Sequence, residues 1–319
     1  MNIGISLSPF AFDAADNAVT AAVESAREAA DAGVRSLWFG QTFSFDAITM
    51  AALVAQAVPE LEVGTSAVPI PARHPLLIGS QALTAQAAAR GRFTLGLALG
   101  APSITESAFG IPFDRPITRL REFLTALAGP LRNESAEFHG ETVTAVTPIP
   151  GRVAGAEPAV PVLVAAMGPQ AVRVTGESAD GTLPFLVGPQ ALERHIVGPI
   201  GAAARRAGRS RPRVVAMVPG VVTSDPEAAR AAAARQMAFY DTIPSYRRVI
   251  ELSGASRAAD LAVIGDERVV ADRIAEYFAA GATDVVITQT DLTTPDDRRR
   301  TWRLLGELAR TSTPATPSV

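Results

Sequence analysis

The chain has 319 residues, 48% hydrophobic and 19% charged, with a net charge of −3 and no block of basic residues. That length suits one large α/β domain or two small ones, and the charge excludes a protein that tracks a nucleic acid backbone. The sequence holds neither cysteine nor lysine, which excludes thiolate, iron–sulfur and Schiff-base chemistry.

Apolar strands and amphipathic helices alternate from end to end. Strands are expected at 2–8, 35–39, 61–67, 92–98, 161–165, about 180–186, 213–220 and 283–288. Helices are expected at 16–32, from Asp46 to Ala57, Pro75 to Arg90, 117–132, Pro169 to Ser178, 189–207, 225–241 and 295–310. Eight strand–helix units predict an α/β fold of the (β/α)₈ TIM barrel type, in one domain over 1–310. Two segments break the rhythm and read as insertions after strands four and seven. The first, 133–160, is rich in Gly, Pro and Thr and carries a hairpin at Phe138–Val143. The second, 242–282, includes an amphipathic stretch from Glu267 to Ala280. Residues 311–319 read as a frayed tail. No apolar run reaches the roughly 18 residues of a membrane span, and Met1 to Ser8 reads as a strand and not as a leader, so a cytoplasmic protein is expected.

Three apolar runs end abruptly in small residues: Gly64-Thr65-Ser66-Ala67-Val68-Pro69, Gly91 to Gly100, and Pro161 to Gln170. Small residues let a backbone approach a flat or charged ligand closely. Gly96, Ala98, Gly100, Ala166, Met167 and Gly168 are therefore candidate ligand contacts, with simple strand-end turns as the structural alternative. Pro169 opens a helix whose free N–H groups could receive an anion. The histidines His74, His139 and His195 lie far apart with no zinc spacing, and no metal site is expected. His74 reads as a helix cap, and the other two as surface residues. Asp46 reads as a helix cap, Asp180-Gly181 as a turn, and the arginine-rich stretch 298–303 as a solvated face. Phe43 and Phe45 either line an apolar substrate pocket or pack their loop. With no dinucleotide or hydrolase-elbow motif, reactivity is expected to come from an organic cofactor.

These segments, with Arg73-His74-Pro75 and Ala179-Asp180-Gly181, resemble the luciferase-like monooxygenase superfamily in its coenzyme F-420 (deazaflavin)-dependent branch. The resemblance implies a (β/α)₈ barrel with the cofactor ring at its C-terminal mouth. It implies a non-proline cis peptide at Ser66–Ala67, with Ser66, Ala67 and Val68 beneath the ring, and a phosphate held by the strand-five end. Relatives often place His or Asp after strand two; here stands Gln41, which can orient a substrate but cannot act as a general acid. Beyond strand four, Ala101 and Pro102 replace a polar or acidic residue, and Glu106 is the nearest acid. The activity implied is hydride transfer between deazaflavin C5 and a small organic substrate, with reduction of an activated C=C or C=N bond favoured. An FMN-dependent monooxygenase and a non-catalytic cofactor-binding relative are the alternatives. A homodimer is implied, with no nucleic acid or membrane partner.

Overall fold

The structure is a computed structural model that describes residues 2–8, 10–149 and 151–311. Eight parallel strands follow one another around a closed ring: β1 (Asn2–Leu7), β2 (Ser36–Phe39), β3 (Glu62–Thr65), β4 (Phe93–Ala98), β5 (Val162–Ala165), β6 (Gly181–Thr182), β7 (Arg213–Val222) and β8 (Asp284–Thr288). Closure comes from β8 pairing with β1, where Ile287 stands opposite Ile5. The expected (β/α)₈ barrel is therefore observed. Each strand lies within the expected range or runs at most two residues past it. The sixth is cut short at Pro184, which has no N–H to pair, and touches β7 again only at Phe185, opposite Met217.

The two faces of each strand meet different partners, as the period of two requires. On β1, Ile3, Ile5 and Leu7 face outward into the main core under the helices. The barrel interior holds a separate apolar cluster of Trp38, Leu163, Leu183, Val215, Met217 and Val286. Gly64 admits the indole into that interior, because a Cβ there would lie 2.6 Å from the Trp38 ring. At the N-terminal end Arg213, the first residue of β7, pairs at 2.6 Å with Asp284, the first of β8. The Arg213 guanidinium also lies 5.8 Å from the Trp38 ring centroid, so the bottom of the barrel is closed.

One helix assignment changes. The helix Pro226–Gln236 belongs to the insertion: its Ala229, Ala232 and Ala233 join Met237 and Ile250 in a satellite core. The helix that returns the chain to β8 is Glu267–Ala279, whose Val270, Ile274 and Tyr277 enter the main core. The insertion thus starts just after β7, not at 242, and ends before Glu267. It adds a helix Pro244–Leu252 and a short strand Val263–Gly265 parallel to the end of β7. The sequence reading also lacks the helix Pro102–Phe109 and the two-residue strand Val68–Pro69.

The hairpin after β4 is present, with Glu137–His139 antiparallel to Thr144–Val146. Glu122 organises its turn by accepting the N–H groups of Glu141, Thr142 and Val143 and the Thr142 hydroxyl, at 2.6–3.1 Å. Thr311 ends the last helix, and 312–319 lie outside the described residues. Among the described residues, no helix is long and apolar enough to cross a membrane.

Candidate active site

The C-terminal ends of the strands form the mouth of the barrel, and their small residues leave it open. Ser66, Ala67, Ala98 and Ala165 are half-buried there. Ala67, Ala165 and Phe185 pack on top of the interior apolar cluster and make the floor. The Ser66–Ala67 peptide bond is cis. The Ser6 hydroxyl donates to the Trp38 carbonyl and lies 3.2 Å from Ser66 Oγ. A hydroxyl has one proton, so Ser66 donates to Ser6 and offers the mouth only acceptor lone pairs.

The end of β5 supplies backbone donors. The helix Pro169–Ser178 begins at Gly168 with no side-chain cap, so its first-turn N–H groups lack partners. The N–H groups of Met167 and Gly168 also have none among the described residues. A Cβ on Gly168 would meet nothing within 4 Å, so the chain is open on its side-chain side there. Such a cluster at a helix N-terminus favours an anion such as a phosphate. Two non-glycine residues with left-handed backbone, Leu186 and Gln289, follow the ends of β6 and β8. Strain of this kind gathers at functional sites.

Other singled-out residues stand elsewhere. The Gln41 amide is spent on its own loop: Nε2 donates to the carbonyls of Thr42 (2.6 Å) and Phe45 (3.0 Å), and Oε1 accepts the Ala47 N–H. Gly96 is buried within β4, and its missing side chain makes room for the Thr65 carbonyl, which a Cβ would approach to 1.9 Å. Val68 and Ala166 are fully buried. Gly100 is exposed and left-handed, and Pro169 is exposed. Glu106 accepts the Phe113 N–H and staples its own loop. Phe45 packs on Phe12 and Phe39 in the core, whereas Phe43 is exposed beside Phe109. Asp46 caps the helix Ala47–Ala57 and pairs with Arg73; His74 caps Pro75–Ala88 and bonds the Thr144 carbonyl. His139 and His195 are exposed. Among the described residues, no three acidic or histidine side chains gather as a metal site would need.

Sequence reasoning misses Ser6, Phe185, Tyr240, Tyr246 and Gln289. Of these, Ser6, Phe185 and the left-handed Gln289 lie within or beside expected strands, and none carries a motif.

Together these features define a (β/α)₈ barrel whose C-terminal mouth has a small-residue floor and a cluster of unpartnered backbone N–H groups. The luciferase-like monooxygenase family model matches residues 1–284, and the chain belongs to that family. A putative coenzyme F-420-dependent oxidoreductase of Mycobacterium tuberculosis is 25% identical over 308 residues, covering 82% of this chain and 88% of the relative. An F-420-dependent secondary alcohol dehydrogenase, solved with an F-420–acetone adduct, superposes with a TM-score of 0.79 at 15% identity, covering 97% of this chain and 99% of that one. The FMN-bound oxygenating component of 3,6-diketocamphane monooxygenase from Pseudomonas putida gives 0.76 at 17% identity, covering 98% of both chains.

Proposed function

We propose that the protein is a coenzyme F-420-dependent oxidoreductase acting on a small organic molecule. The observation that carries this reading is the uncapped N–H cluster at Met167, Gly168 and the first turn of Pro169–Ser178, beside a floor of alanines and serine. The donor set fits the group: backbone N–H for a phosphate, and small side chains where a flat ring must lie close to the strand ends. The similarity to a putative F-420-dependent relative supports the choice of cofactor. The deazaflavin, when bound, supplies a two-electron hydride acceptor and donor, and an activated C=C or C=N bond is the proposed target. The chain's own residues bind, orient and exclude water. Ala67 and Ala165 would carry the ring face, Ser66 would offer it an acceptor, and Gln41 holds the loop after β2.

Fluorescence titration with F-420 and, separately, with FMN tests this. Tight binding of F-420 alone supports the reading. Tight FMN binding replaces it with a monooxygenase, and binding of neither leaves a non-catalytic relative.

The proposed homodimer has a surface to use. The adjacent helices Ala47–Ala57 and Pro75–Ala88 carry no charged residue, and their outer faces form a groove of about 390 Å³ lined by Ala52, Leu53, Gln81 and Ala88. Leu53 and Leu77 are exposed. A face without charge meets its own copy under a two-fold axis without bringing like charges together.

A further inference from the structure

The insertion after β7 brings two aromatic rings, Tyr240 and Tyr246, against Phe185, which follows β6. Phe185, at the end of β6, touches the barrel interior on one side and the insertion's own core on the other. Tyr240 and Tyr246 stand edge-on to it at 5.1 and 6.0 Å and 5.0 Å from each other. Both are half-buried, yet neither hydroxyl has a hydrogen-bond partner among the described residues. Neither oxygen is sealed from solvent, so each can exchange water for a ligand. The other side chains near the mouth leave this donor role open. Ser66 has given its proton to Ser6, and Gln41 has spent both amide hydrogens on its loop. Burial, and for Tyr246 the neighbouring Tyr240, disfavour the phenolates, so both hydroxyls stay protonated at neutral pH. Phe239 packs beside Tyr240, and the loops after β1, β2 and β4, at the same end of the barrel, expose Phe10, Phe43 and Phe109. That apolar rim disfavours an ionic visitor, which would shed hydration there without a partner.

We propose that Tyr240 and Tyr246 are substrate-positioning residues whose hydroxyls donate to the oxygen of a small, uncharged carbonyl compound held against Phe185. A carbonyl oxygen has two lone pairs and accepts both donors. The assignment rests on the barrel mouth being the reaction site. It rests on the reading above and narrows the activated bond proposed there to the C=C of a neutral enone or enal, with the carbonyl at the tyrosine end.

The chain has three tyrosines. The third, Tyr277, is buried in the main core and serves as an internal control. Incorporating 3-fluorotyrosine into the full-length protein gives three fluorine resonances, assigned with Tyr240→Phe and Tyr246→Phe. Cyclohexenone is then titrated in, with and without F-420, and cyclohexene serves as the isosteric probe that lacks an oxygen. Saturable movement of the Tyr240 and Tyr246 resonances by the enone, with Tyr277 still, is expected. Each Tyr→Phe change weakens enone binding about threefold to tenfold and leaves F-420 affinity within about twofold. Stationary Tyr240 and Tyr246 signals at tens of millimolar enone overturn the proposal, as does equal movement by cyclohexene. Failure of F-420 to bind while the two tyrosines still respond to the enone defeats the cofactor reading alone.

Discussion

Thr65 holds Gly96 by both of its backbone groups. Its hydroxyl donates to the Gly96 carbonyl at 2.9 Å and accepts the Gly96 N–H at 2.8 Å, while its own carbonyl fills the space of a Gly96 side chain. The end of β3, and with it Ser66 and Ala67, is thereby locked to β4. Gly96→Ala is expected to cost about 3 kcal/mol or more, because the obstacle is backbone. Thr65→Val is expected to cost about 1–3 kcal/mol by orphaning two buried polar groups. Both are read as lower urea midpoints at constant slope. A Gly96→Ala midpoint equal to the parent's would show that the two strands can part freely.

Gly168→Asp tests the proposed anion cradle without disturbing the fold, since the new side chain enters open space. Its charge cancels the attraction of the helix N-terminus, and F-420 affinity is expected to fall at least about tenfold, while Gly168→Ala changes little. Fluorescence titration and thermal melts are measured together. Normal F-420 affinity in the Asp variant would move the phosphate away from β5.

Gln41→Ala removes three loop hydrogen bonds at once. The expected result is a turnover loss of about tenfold or more with F-420 affinity within about twofold. Crystal structures of both forms check the cause: the loop 41–47 should shift in the variant. Unchanged turnover would take Gln41 out of the functional account.

Glu122 gives stability a pH dependence. Burial raises its pKa, but the hydrogen bonds from Thr142, Glu141 and Val143 outweigh burial and hold it below the usual carboxylate range. A lowered folded-state pKa means the stabilisation is present above the unfolded value, near 4.3. It is lost as pH falls from there through the folded value. Glu122→Gln is expected to cost about 1–3 kcal/mol at pH 7 and less at pH 3. Urea melts at both pH values measure this, and an equal cost at the two would show that the carboxylate charge is immaterial.

Leu53→Arg places a charge in the uncharged groove between Ala47–Ala57 and Pro75–Ala88. Light scattering is expected to show a dimer for the parent chain and a monomer near 33.2 kDa for the variant. A dimer that survives the substitution would lie on another face.

The barrel itself was legible because parallel strands, buried on both faces, are short apolar runs between helices. The uncapped helix start was legible for a related reason: Gly168-Pro169 after an apolar run is local information. Gln41 shows the opposite case. Its residue type says what it can bond, but its partners are three groups of its own loop, which only the folded turn brings together. The two helices after β7 were exchanged because both are alanine-containing and amphipathic, and periodicity does not say which core a stripe will meet. Tyr240 and Tyr246 carried no signal because their meaning depends on Phe185, more than fifty residues away in sequence.

Phe185 is shared by two cores, one inside the barrel and one in the insertion. The insertion is therefore keyed to the barrel by this ring as well as by the pairing of Val263–Gly265 with β7, and is not an independent appendage. An insertion taken from a relative would sit correctly only if it brought rings to match Phe185. Engineering new selectivity into this scaffold thus means exchanging residues 185, 240 and 246 as one unit.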